Sequence, residues 1–157
     1  MPDAGDAWDW TREYSILFRA YEIPCWENNT AITAATGPVT AGSVNIEVPG
    51  SLQTVANVTL KNESGATINT ATVTAGSSGM SFSALGIAAD ESLVIDHTAA
   101  GYLRIRILSA EGNYRSVLEK RSESSADDLA ISPGSVEISF TAQRACQMTA
   151  SVRGRFA

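Results

Sequence analysis

Acid–base chemistry in this chain has one obvious place to start, because His97 is its single histidine and follows directly on Asp96. Imidazole is the side chain best suited to moving protons near neutral pH. A Ser-His-Asp arrangement is formally open, but no G-x-S-x-G turn is present to lift a serine into reach. A Cys–His site requires Cys25 or Cys146 to meet His97. Each cysteine follows an apolar or bend position, which predicts packed free thiols over a disulfide or an activated nucleophile. Two cysteines and one histidine without close spacing make no zinc site. Asp3, Asp6 and Asp9 recur every third residue, yet that stretch lacks the central glycine and the bidentate terminal carboxylate of a calcium loop. Asp127 and Asp128 are neighbours, and adjacent carboxylates on an extended chain point to opposite faces, so they cannot flank one glycosidic bond. Capping a chain reversal suits them better. His97, at a strand end, reads as a hydrogen-bonded turn residue. With no P-loop, G-x-G-x-x-G or metal-binding His pair, the expectation is a protein that is not an enzyme and uses no cofactor or metal.

The elements that carry these residues are strands. At 157 residues the chain fits one domain with its own core. Its formal charge of −6, without a basic stripe, argues against a nucleic-acid partner. Arg104 and Arg106 share the exposed side of one strand, and Arg153 and Arg155 share a face near the C-terminus. Both pairs read as edge protection or local ion pairs. No apolar run is long enough to cross a bilayer, so no membrane partner is expected. The start, MPDAGDAWDW, lacks a basic n-region and reads as the beginning of an excised fragment rather than a leader.

Residues 1–11 are expected to form a flexible acidic segment, followed by a single β-sandwich domain over 12–157. Tyr14–Tyr21 (YSILFRAY) carries large residues on both faces and predicts a central strand. Residues 30–42 leave a weak strand and a surface loop both open. From Val44 onward, apolar residues alternate with polar ones over Val44–Val48, Ala56–Leu60, Ile68–Val73, Met80–Ala84, Leu93–Ile95, Leu103–Ile107 and Tyr114–Leu118. Turn residues recur about every ten positions between them. At the C-terminus, Val136–Ala142 and Cys146–Val152 alternate as two runs, and Gln143–Arg144 between them suggests the corner of a hairpin. No segment sustains a 3.6-residue period. The reading is all-β: an antiparallel sandwich of about ten strands in two sheets roughly 10 Å apart.

Several stretches resemble the C-terminal part of distal tail proteins from long-tailed bacteriophages and prophages of Gram-positive bacteria. They are FRAYEIPCW from Phe18, ESLVIDHTAAGYLRIRI from Glu91, RSESSADDLAISPGSVEISF from Arg121, and the terminal SVRGRFA. Cys25 stands where an aromatic is common in that family, and Ser135 where Asn often follows the glycine. The resemblance implies a galectin-like or carbohydrate-module-like jelly roll. It also implies a structural role at the virion tail tip or baseplate: an outward-facing domain that docks other tail or receptor-binding proteins. A homo-hexameric ring is expected only with an N-terminal domain of the family type. The alternative is a carbohydrate-binding module for host cell-wall glycans, for which Trp26, Tyr102 and Tyr114 supply the candidate aromatic faces.

Overall fold

The computed structural model describes residues 25–98 and 101–157. The acidic segment 1–11 and the predicted strand Tyr14–Tyr21 lie outside the described residues. The described chain opens with β1 (Trp26–Glu27), β2 (Ile32–Ala35), β3 (Val39–Val48) and β4 (Thr54–Asn62). It continues through β5 (Ala71–Ala75), β6 (Ser78–Phe82), β7 (Ser92–His97), β8 (Leu103–Leu108) and β9 (Tyr114–Ser116). A single 3-10 turn at Leu118–Lys120 precedes β10 (Ala130–Ile131), β11 (Gly134–Val152) and β12 (Arg155–Phe156). The stretch 30–42 thus holds β2 and the start of β3.

The molecule is an antiparallel all-β sandwich, and β11 is the strand that both layers share. Its first half pairs with β3 and β5, and β5 pairs with β6. Its second half pairs with β2 and β4, and β4 leads on through β7 and β8 to β9. Two sets of neighbours on one strand force the sheet to curl, and the inward side chains then meet in one core. That core takes Ile138, Phe140, Cys146, Met148, Ala150 and Val152 from β11. Leu60, Val73, Met80, Leu93, Ile95, Ile105 and Ile107 meet them from the other strands. Each fully buried aliphatic side chain contributes about 1.5–3 kcal/mol of transfer free energy.

β11 corrects the expected C-terminal hairpin. Gln143–Arg144 is no corner; the chain passes through it as one strand of 19 residues. A two-residue loop would pair 142 with 145 and switch the inward positions from even to odd numbers. The buried positions stay even from Ile138 to Val152, which is the signature of an unbroken strand. A register shift against β3 between Thr141 and Cys146 takes up the irregularity. There the Gln143 amide donates to Thr70 O (3.1 Å), and Gln143 Oε1 accepts from Asn69 N (3.1 Å).

Two shorter runs also end differently. Ile68 stands outside β5, in an isolated bridge with Ile87. β6 stops at Phe82 because Ala84 turns into the left-handed region at φ 52°. Elsewhere the crossover after β9 runs along the outer edge of β6: Ser122 N donates to Ser81 O (2.8 Å) and Ala126 N to Gly79 O (2.8 Å). Arg121 closes this segment through Nη1 on Ala126 O (3.0 Å).

Candidate functional site

Asn57, on the outward parity of β4, and His97, the last residue of β7, meet at a break in strand pairing. The outer edge of β4 has two partners in succession, β10 at residues 54–55 and β7 at residues 58–61. At the changeover, Ala56 N donates to Leu129 O (2.9 Å). The backbone ladder is interrupted there, and side chains complete the join. His97 Nδ1 lies 3.0 Å from Asn57 Oδ1, and its Nε2 lies 2.7 Å from Asp128 Oδ1. That same Asp128 oxygen accepts the Leu129 N–H at 2.8 Å, the capping role expected of it. The imidazole is 8% exposed, so it is a strut across β4, β7 and the approach to β10.

His97 forms one wall of a cleft of about 850 Å3 that also includes Thr54, Asn57, Thr98, Asp128 and Arg153. Glu27 and Arg155, on β1 and β12, also line it. These two short strands pair Glu27 with Arg155 and Trp26 with Phe156. The join rests on close approach: a Cβ on Gly154 would sit 2.3 Å from Pro49 O, and one on Gly50 would sit 2.2 Å from Arg155 O. Arg155 O also accepts from Ser51 N (2.9 Å) and Leu52 N (3.1 Å). Its guanidinium donates to Cys25 Sγ from Nη2 (2.9 Å) and Nε (3.2 Å), with Glu27 Oε1 at 3.5 Å.

The residues expected to do chemistry are therefore partly gathered and partly kept apart. His97 meets a carboxylate, but both ring nitrogens are engaged, and among the described residues no hydroxyl or thiol is hydrogen-bonded to it. Both cysteines are free thiols. Cys146 is wholly buried in the core, and burial pushes its thiol up to about 11. Among the described residues no cluster of His, Cys, Asp and Glu has the makings of a metal site. Asp96 is the focus of a separate surface network: Arg104 grips it through Nε (3.0 Å) and Nη2 (2.7 Å), and Arg106 Nη2 reaches it at 2.9 Å. Those two arginines make the local ion pairs that their shared strand face suggests.

The three aromatic candidates do not form one platform. Tyr102 precedes β8 and Tyr114 faces Leu108 at its far end. The length of that strand, roughly 20 Å, separates them. Arg106 covers one face of the Tyr114 ring at 3.9 Å. Tyr102, 73% exposed, follows Gly101 of the cleft wall, and Trp26, 80% exposed, precedes Glu27. Asn57 had no signal in the sequence, since an outward asparagine on a strand is ordinary. A scan of protein-family models and a search of curated proteins found no match to this chain.

Proposed function

We propose that this domain is a non-catalytic docking module of a bacteriophage or prophage tail tip, of the kind found at the C-terminus of distal tail proteins. The observation that carries this reading is the disposition of its exposed apolar side chains. Trp26, Ile32 and Val39 stand out from β1, β2 and β3. Among the described residues, β2 and β3 pair only with β11, so their other edges have no strand partner. An open edge with apolar side chains beside it suits addition of a partner's strand or loop. A second support is that two stretches of the resemblance are stitched together by the His97–Asp128 bond, one residue from each. With both ring nitrogens so occupied, His97 serves as a structural strut. The virion tail tip is the corresponding location, and other tail or receptor-binding proteins are the partners.

Immunogold electron microscopy with antibodies against this domain tests the reading on particles released from the host. Gold at the tail tip is the expected result. Particles whose tails carry no label, in a lysate where the protein is abundant but unassembled, would remove the proposal. Clearing of a peptidoglycan zymogram by the purified chain would overturn its non-catalytic part.

A further inference from the structure

The His97 cleft holds hydrogen-bonding capacity that the described residues do not use. Asn57 gives Oδ1 to His97, and among the described residues its Nδ2 protons have no protein acceptor. Asp128 gives Oδ1 to His97 and Leu129, which leaves Oδ2 without a donor among the described residues. Arg153 is exposed and makes no ion pair with any described residue, while its backbone oxygen accepts from Thr54 Oγ1 at 2.8 Å. Among the described lining residues, only Val55 is aliphatic. A lipid chain or apolar peptide side chain would strip water from these groups without replacing its hydrogen bonds, which is unfavourable for each of them.

A sugar ring has the matching chemistry. Neighbouring hydroxyls both donate and accept, as an amide hydrogen, a carboxylate oxygen and a guanidinium require. The cleft, at about 850 Å3, has room for more than one ring. Arg153 adds a direction, because a guanidinium binds carboxylate or phosphate oxygens more strongly than neutral hydroxyls. The chain carries a net charge of −6, so attraction for an anion has to come from a local cation. The geometry points to a binding site for an acidic oligosaccharide, with Arg153 on its carboxylate or phosphate and Asn57 and Asp128 on ring hydroxyls. This inference stands apart from the tail-tip reading, since a glycan site is useful to the domain in any assembly.

Calorimetric titration of the full chain with three defined probes tests it: tetragalacturonate, a mannotetraose 6-phosphate and neutral chitotetraose. The expected result is a Kd below about 1 mM for one of the acidic probes, at least roughly fivefold tighter than for chitotetraose. The acidic probe that binds more tightly identifies carboxylate or phosphate as the preferred group. Arg153→Gln, a change at an exposed site, should weaken that binding about tenfold and abolish the preference for charge. Tyr114→Ala, remote from the cleft, should leave it unchanged. The inference is overturned by heat-silent titrations with both acidic probes, by equal affinity for chitotetraose, or by an Arg153→Gln protein that binds as tightly as the parent.

Discussion

Asn62 has a heavy hydrogen-bonding load for one side chain. It is fully buried, and its Nδ2 donates to Ala66 O (2.8 Å), Ala88 O (2.9 Å) and Ile87 O (3.0 Å). Its Oδ1 accepts from Ser64 N (2.9 Å) and Ser64 Oγ (2.7 Å). One amide therefore ties the turn at 64–66 to the loop at 87–88. Asn62→Ala should cost about 2–4 kcal/mol in urea unfolding, because it removes a buried amide that bonds three loop carbonyls and accepts the Ser64 N–H. Asn62→Asp should cost as much, since a carboxylate cannot donate to them. Ala84 presents the opposite case, an exposed non-glycine residue at φ 52°. Ala84→Gly should raise stability by roughly 0.5–1 kcal/mol through relief of that backbone conformation. A lower denaturation midpoint for this variant would contradict the account of why β6 stops where it does.

β12 is short, and packing rather than length holds it in place. Pro49 and Arg155 backbone oxygens occupy the space where side chains on Gly154 and Gly50 would go. Gly154→Ala should therefore push β12 away from the 49–52 turn, costing about 2–3 kcal/mol by the overpacking mechanism. It should also speed alkylation of Cys25, whose sulfur is covered by the Arg155 guanidinium. Unchanged labelling kinetics in a folded Gly154→Ala protein would show that β12 does not shelter the thiol. β11 makes its own test. Replacing Gln143–Arg144 by Asn-Gly, the favoured two-residue hairpin turn, should destabilise the domain, because the native chain runs straight through and Gln143 bonds Thr70 and Asn69. A protein of unchanged or higher stability would argue for a turn at that point.

At the level of the whole molecule, the burial of Cys146 couples stability to alkaline pH. Its folded thiol is pushed from 9.0 up to about 11. The sign follows from linkage: where the folded value is the higher, the native state holds its proton after the unfolded chain has released it. The stabilisation is complete below about pH 9 and declines as pH rises towards about 11, by roughly 2–3 kcal/mol. Cys146→Val should flatten the stability profile across that window when unfolding is followed at successive pH values. A slope identical to that of the parent would remove the thiol from the explanation. In the native protein a thiol reagent should modify Cys25 and spare Cys146, because only the former is partly exposed.

Much of the architecture was legible in alternation alone. Ala56, Val58 and Leu60, or Ile105 and Ile107, declare strands because a period of two has one physical meaning, a half-buried sheet face. The continuity of β11 was written in the same alphabet, through even numbering that never switches, although two polar residues in its middle resemble a corner. The cleft was not legible. Asn57, His97, Asp128 and Arg153 come from four separate stretches, and only the handover of β4 from β10 to β7 brings the first three together. Local sequence determines which way a side chain faces along its own strand. Which strands become neighbours, and where their pairing breaks, is decided by how one core is closed from both halves of β11. The cleft is a product of that closure.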